Sequence, residues 1–330
     1  LPGALIARHH AGMADAALRS RATRGLILAT ACWGLSFPVM KSLFLLQEPA
    51  LPGRSTFFVS ALCLVYRFGL AALVMSAMTA HTLRKLTWNE VWHGLGVGVF
   101  GGVGIFFQMD ALASTSASTS AFLTQTYCLI LPWWVAARDR RWPSWQLLSG
   151  SVLVVTGIAV LSGMSVGELR MGRGEQETIL ASVIFVGQIL WLERPRFVEC
   201  RTEHTTLVMF AATALVCLPV ALATTREAGD WATAFSTPGS WVLLGLLVGV
   251  CTLGAFLLMT RWQRHVGAAL AGLIYCCEPL FASFVALFVP GWISQSTGIA
   301  YPNEELTRNL LFGGGLILAA NALAQWRPKG

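Results

Sequence analysis

Gly94–Trp134 reads GLGVGVFGGVGIFFQMDALASTSASTSAFLTQTYCLILPWW. Two apolar runs meet at a short run of Ser, Thr and Ala. The first run holds six glycines: Gly94, Gly96, Gly98, Gly101, Gly102 and Gly104. The second carries Pro132 between apolar and aromatic residues. In a water-soluble helix each glycine would cost about 1 kcal/mol against alanine. In a bilayer that cost is tolerable, because small residues let helices approach closely and no water competes for the backbone. The stretch therefore predicts a membrane hairpin, two helices with almost no loop between them. A looser copy recurs at Leu243–Phe288.

Outward from this hairpin the chain keeps the same character. It is 55% hydrophobic and 12% charged, with a mean hydropathy of +0.64. Globular domains are about 25% charged, so this is a membrane-protein composition. The 13 Trp suit membrane interfaces. Ten apolar segments can be marked, at 24–46, 56–79, 89–110, 116–137, 145–163, 177–193, 205–224, 240–260, 266–289 and 306–326. Each is near the ~20 residues that a bilayer requires. Residues 1–23 hold Arg8, Arg19 and Arg21 but no long apolar run, so they read as a cytoplasmic N-terminal segment and not as a signal peptide. Between the segments no hydrophilic stretch is long enough for a separate soluble domain.

Lys and Arg in the loops set the orientation. With the N-terminus in the cytoplasm, the inner segments hold 16 cations: Arg8, Arg19, Arg21, Arg24, Arg84, Lys85, Arg138, Arg140, Arg141, Arg194, Arg196, Arg201, Arg261, Arg264, Arg327 and Lys329. The outer side holds five, Arg54, Arg170, Arg173, Arg226 and Arg308. This asymmetry predicts a multi-pass protein of the cell inner (plasma) membrane with both termini cytoplasmic. It also accounts for the net charge of +7 by cations at helix ends, so no nucleic-acid partner is expected. The eight cysteines show no CxxC spacing and read as small apolar packing residues, with no metal and no cofactor implied.

The segments divide as five plus five. Gly-rich segment three matches segment eight, with Gly245, Gly249 and Gly254. Pro132 in segment four matches Pro279 in segment nine. Gly150 and Gly157 in segment five echo Gly313, Gly314 and Gly315 in segment ten. Five is odd, so the second copy enters the membrane upside down. The expected fold is an all-α membrane protein, ten transmembrane helices in two inverted five-helix repeats at 24–163 and 177–326. Inverted repeats are a frequent transporter architecture, with solute bound near the midplane between the halves.

At this point the residues resemble a known family, the EamA-like branch of the drug/metabolite transporter superfamily. Trp33-Gly34-Leu35-Ser36-Phe37 is similar to its first-helix signature, and Arg67-Phe68 with the following Leu/Ala run to its second helix. Ser120-Ala121-Phe122-Leu123 running to Pro132 resembles the fourth, and Glu278-Pro279-Leu280-Phe281 the ninth. The likeness covers residues 24–326. Arg138-Asp139-Arg140-Arg141 and Gly291-Trp292 stand where many members carry a Gly-Glu pair, and the outer loop Pro290–Glu305 is longer than the family norm. The resemblance implies a ten-helix transporter, often an exporter of amino acids or other small metabolites.

Within the spans, Gly96-Val-Gly98-Val-Phe-Gly101 fits the dinucleotide fingerprint GxGxxG. That motif needs a strand before it, and here it reads as helix packing. Glu278 is the most telling residue. A carboxylate near a span centre is costly and faces a cavity or a partner. It reads either as a solute or gating contact or as a structural acceptor for backbone groups freed by a kink at Pro279. Arg67, midway along segment two, reads first as paired within the bundle or bonded to carbonyls, with anion binding the second reading. Lys41 and Asp110 lie at the outer ends of their spans. Trp33, Ser36 and Phe37 share one helix stretch beside Pro38. Gln108, Thr124, Gln125, Tyr127, Gln188, Trp191 and Tyr275 lie inside spans. The amides are too polar to face lipid, so they face a cavity or bond between helices. Together with Glu278 these residues are the candidate solute-cavity set. Segment six is short between Glu177 and Glu193, as broken or mobile helices beside a site can be.

The partners this implies are a small-molecule solute and the lipid bilayer, and a monomer satisfies the reading. Carriage of amphipathic solutes by alternating access leads. A proton-coupled efflux pump for drugs or cationic compounds is the alternative. Small four-helix relatives that resemble this fold use a first-helix Glu for coupling; Arg24–Leu46 holds no carboxylate, although Glu278 offers a titratable group. An enzyme is not expected. All six His (His9, His10, His81, His93, His204 and His265) lie at segment ends or in loops, with no paired ligand spacing on an apolar helix.

Overall fold

The structure is a computed structural model that describes residues 2–161, 171–192, 194–266, 271 and 274–325. Arg170, Glu193, Arg327 and Lys329, and the repeat boundaries at 163 and 326, lie outside the described residues. The described chain is all-helical, with no strand. Its helices are α1 Pro2–Gln47, α2 Thr56–Thr79, α3 Trp88–Ala111, α4 Ala117–Thr124, α5 Tyr127–Arg138, α6 Trp145–Leu161 and α7 Arg173–Leu192. After these come α8 Thr202–Thr224, α9 Asp230–Thr233, α10 Pro238–Leu246, α11 Ala255–Trp262, α12 Glu278–Ala286, α13 Val289–Thr297 and α14 Arg308–Gln325. Among the described residues, five helical stretches are long and apolar enough to cross a bilayer: Leu18–Gln47, Thr56–Thr79, Trp88–Ala111, Thr202–Thr224 and Pro238–Met259. A sixth follows if α12 and α13, bent by 46°, are one broken span. Large apolar side chains such as Leu73, Val155, Leu215, Val242 and Phe312 point outward from these helices. Such a surface suits lipid.

Local chemistry starts the helices. Ser55 accepts from the Phe58 N–H at the start of α2, and Ser116 from the Thr119 N–H at the start of α4. At α3, Thr87 accepts from the Glu90 N–H at 3.3 Å while the Glu90 carboxylate accepts from the Thr87 N–H at 2.8 Å, a reciprocal cap.

The glycines of α3 serve two faces. Gly94, Gly98 and Gly102, four residues apart, lie against α8. A Cβ on Gly98 would stand 2.6 Å from the Ala212 Cβ and 2.6 Å from the Met209 carbonyl oxygen. Gly96, Gly101 and Gly104 lie against α7, each under a large side chain: Trp191, Gln188 and Phe185 respectively. Helix α3 is therefore clamped between two neighbours. The main core gathers Phe37, Leu43, Phe58, Leu62, Phe106, Phe210 and Leu247. A smaller one gathers Phe122, Leu129, Leu147, Leu161 and Ile317, where Gly157 of α6 meets Gly313 of α14.

Two segments that read as single spans are interrupted, and a third changes helix type along its length. Segment four breaks between α4 and α5 at Gln125–Thr126. Segment eight passes through a π-helical stretch, Leu247–Gly254. In segment nine the described part turns at Cys276–Cys277 before α12 begins. Pro279 thus sits at the start of a new helix, where its missing N–H costs nothing, and does not kink an old one. One further expectation is corrected. Segment six is not short, because α7 begins at Arg173 and runs 20 residues. The loop after Pro290 contains α13, which ends on Gly298 at φ 76°, a left-handed conformation that glycine adopts without a Cβ clash.

Candidate functional site

The two breaks face each other. Glu278 stands in the first turn of α12, where exposed backbone N–H groups favour a carboxylate. Its Oε2 accepts from Gln125 Nε2 at 3.1 Å, across from the break between α4 and α5. The Cys128 and Cys276 sulfurs lie 3.7 Å apart in the same crossing. Close approach is possible because Gly34 of α1 lies directly under α12: a Cβ there would come within 2.7 Å of the Phe281 Cβ and 2.8 Å of the Ala282 nitrogen.

Beside this crossing lies a cavity of about 130 Å³. Its wall draws on most of the long helices. Trp33 and Ser36 come from α1, Arg67 and Phe68 from α2, Gly101, Ile105 and Gln108 from α3. Phe185 and Gln188 come from α7, Met209 and Thr213 from α8, Phe256 from α11 and Glu278 from α12. The wall is mainly aromatic and aliphatic, with two amides, two hydroxyls, one guanidinium and one carboxylate.

Of the sequence candidates, Trp33, Ser36, Gln108, Gln188 and Glu278 line the cavity. Ser36 turns its hydroxyl to the Trp33 carbonyl at 2.7 Å. Gln108 donates from Nε2 to Thr124 Oγ1 at 2.9 Å, and Thr124 donates to the Ser120 carbonyl at 2.8 Å. The other six stand outside the wall, for separate reasons. Phe37 is packed in the main core. Thr124 sits behind Gln108, and Gln125, fully buried, sits behind Glu278. Tyr127 is half-buried at the start of α5. Trp191 lies farther along α7, over Gly96, where its Nε1 donates to the Trp92 carbonyl at 3.3 Å. Tyr275 backs Trp33, with ring centroids 5.5 Å apart, and its hydroxyl donates to Gln263 Oε1 at 3.1 Å.

Arg67 is held inside the bundle, as its first reading has it, though by a hydroxyl and not a carbonyl. It is buried, and among the described residues it bonds neither a backbone carbonyl nor a carboxylate. Its Nε donates to Thr252 Oγ1 in the π-helical stretch at 2.8 Å, and a terminal nitrogen lies 3.1 Å from the Met40 sulfur. Among the described residues no ion pair includes Arg67 or Glu278. The aromatic wall residues Phe68, Phe185 and Phe256 escaped the sequence reading because apolar residues on apolar helices carry no mark of which face they occupy.

Ionic ties hold both ends of the bundle. At one end Asp110 accepts from Ser60 at 3.2 Å and pairs with Arg173, which also holds Glu177 at 2.7 Å. There Lys41 donates to the Thr115 carbonyl at 2.6 Å, and the Glu304 carboxylate accepts from the Ala117 and Ser118 N–H groups at the start of α4. Near that end too, Arg54 pairs with Asp230 at 2.9 Å and, through that bond first, holds its carboxyl below the usual aspartate range. At the opposite end the buried Glu90 carboxylate pairs with Arg201 at 2.7 Å and meets His204 Nδ1 at 3.2 Å. That pairing raises the Arg201 guanidinium further.

Residues 24–163 match the EamA-like transporter family. Over 326 residues the chain is 26% identical to a protein of Archaeoglobus fulgidus described as an uncharacterized transporter, covering 96% of this chain and 89% of that one. A solved crystal structure of a protein superposes with a TM-score of 0.52 at 18% identity, over 89% of this chain and 96% of the other. At that identity the likeness speaks for the fold alone.

Proposed function

We propose that this chain, whose residues 24–163 match the EamA-like transporter family, is a member of the drug/metabolite transporter superfamily and a carrier that moves small organic solutes across the membrane by alternating access. The solutes are amino acids or similar amphipathic metabolites, and the direction is export. Ten spans form two inverted five-helix repeats, with both termini in the cytoplasm. The observation that carries the reading is the cavity beside two helix breaks that meet through Gln125 and Glu278. Broken helices beside a central cavity are the recurrent solute site of such carriers, because irregular backbone at membrane depth is tolerated where it lines a cavity.

The helix contacts support the repeat. The first segment packs on the eighth and ninth, as the sixth packs on the third and fourth; the second meets the seventh, the fourth the ninth and the fifth the tenth. A shift of five maps every one of these pairs onto another or onto itself. In this arrangement the ties at Asp110, Lys41 and Glu304 close the outer side. The Glu90–Arg201 tie sits on the cytoplasmic side. Efflux of cationic compounds coupled to protons is the second reading, favoured by the Glu278 carboxylate in the cavity wall.

Counterflow tests the carrier. Proteoliposomes loaded with unlabelled phenylalanine or leucine are expected to accumulate the labelled amino acid from outside. Equal uptake by loaded and empty vesicles for all the neutral amino acids would count against it.

A further inference from the structure

Among the described residues Arg67 is the one guanidinium in the cavity wall, and its partners are a hydroxyl, a thioether and the Phe68 ring, whose centroid lies 5.2 Å from the guanidinium carbon. A guanidinium offers five N–H donors in a planar fork. Thr252 takes one, and sulfur is a weak acceptor for another. A buried charge inside a span is expensive unless it is paired or faces a polar space. Here it faces the cavity with no carboxylate in ion-pair reach among the described residues. Glu278 shares the wall but is otherwise engaged. It is bonded to Gln125 and stands at a helix N-terminus. The two charges in the wall are thus unequal: the carboxylate has an amide donor and a helix N-terminus, and the guanidinium has only neutral acceptors and an aromatic face.

We propose, resting on the carrier reading above, that Arg67 selects the solute by its charge: the cavity takes a compact solute with a single carboxylate, which the Arg67 fork binds through two N–H donors. Planar two-point pairing is what guanidinium offers to a carboxylate and an ammonium does not. The solute's apolar body then lies against Trp33, Ile105, Phe185 and Phe256, which line the same space. Glu278 in the wall disfavours a second anionic group by like charge. Thr252 and Met40 hold the guanidinium in place while the cavity is empty, so binding exchanges weak acceptors for a charged one. This also separates the two functional readings, since the cation reading gives recognition to Glu278 and this one gives it to Arg67.

The test uses the full chain in detergent and three probes of one shape: 3-phenylpropionate, 3-phenylpropionamide and 3-phenylpropylamine. Binding is read by calorimetry and by thermal shift. The carboxylate is expected to bind wild type at least about tenfold more tightly than the amide, as a charge-assisted two-point contact does over a neutral one. The amine is expected not to bind. Arg67→Lys keeps a cation, which protects folding, and is expected to lose about tenfold for the carboxylate while leaving the amide unchanged. Size-exclusion profile and melting temperature show whether that variant is folded. Arg67→Gln serves as the second variant and is expected to abolish the preference for carboxylate over amide. Equal binding of carboxylate and amide to wild type, no binding of the carboxylate, or an unaltered preference in both variants would each overturn the assignment. Arg67-dependent binding of the carboxylate without any counterflow would leave the assignment standing and remove the carrier reading instead.

Discussion

A methyl group at Gly98 tests the packing that fixes the bundle. The added Cβ would lie 2.6 Å from the Ala212 Cβ and 2.6 Å from the Met209 carbonyl oxygen. Carbon atoms rest at about 3.5–4.0 Å, so α3 and α8 must part by roughly 1 Å at this level. Neither obstacle is the free end of a flexible side chain, so the strain cannot be relieved by a rotamer change. Overpacking of this kind costs about 1–3 kcal/mol. The control is Gly69, in α2, where nothing lies within 4 Å of the added atom. Gly69→Ala is expected to be neutral or to stabilise by up to about 1 kcal/mol, the helix preference of alanine over glycine. Thermal melts in detergent then give an order: Gly69→Ala at or above wild type, Gly98→Ala several degrees below, at the roughly 2–4 °C per kcal/mol of larger domains. Because Met209 and Thr213 line the cavity from α8, Gly98→Ala is also expected to weaken solute binding. If Gly98→Ala melted with wild type, the close contact of α3 and α8 would be refuted.

Four further outcomes are expected. Glu90→Ala removes the acceptor of the Thr87 N–H, one half of the α3 cap, and also strips an acceptor from Arg201 and His204; its stability should fall by more than the about 0.5–2 kcal/mol of a lost cap, and a smaller loss would show that the tie is inert. Asp230 has its carboxyl lowered by Arg54, so the pair stabilises the fold above the ordinary aspartate pKa of about 3.9 and loses this as pH falls toward the lowered value; the gap in melting temperature between wild type and Asp230→Asn should be constant above about pH 5 and close in acid. Glu278→Gln should keep the fold, since the amide oxygen still accepts from Gln125, but slow transport with an unchanged pH profile; a steep wild-type pH dependence lost in the variant, with binding intact, would favour proton coupling. In a cysteine-free background, a cysteine at Ala228 should be labelled only from outside and one at Ser144 only from inside, and the reverse pattern would invert the topology.

The all-helical, apolar character of the chain and the close-packing role of its glycines were legible because bilayer physics writes them in composition. Six glycines in one apolar run have few explanations, and α3 uses them against both α7 and α8 as close-approach points. What could not be read was which polar side chain meets which. Gln125 and Gln188 are alike in sequence, each an amide in an apolar run. One is buried behind Glu278 and the other lies in the cavity wall over Gly101. The difference depends on the opposite helix, which is far away in the chain.

The break in segment four shows the same limit more sharply. No Gly or Pro marks Gln125–Thr126, and Pro132 lies beyond it inside α5. The interruption coincides with hydroxyls that take backbone carbonyls as partners: Thr124 bonds the Ser120 carbonyl at 2.8 Å and Thr126 the Leu123 carbonyl at 2.8 Å. Such bonds compete with the helix ladder but do not break it alone. The remaining contribution is tertiary, from Ser182 of α7 against Thr126 at 2.8 Å and from Glu278 against Gln125. Glu278 stood out in the sequence because a lone carboxylate in an apolar run must find a partner or a cavity. Gln125 did not, because an amide has many ways to be satisfied, and its part in the crossing exists only once α12 has been brought alongside α4 by Gly34.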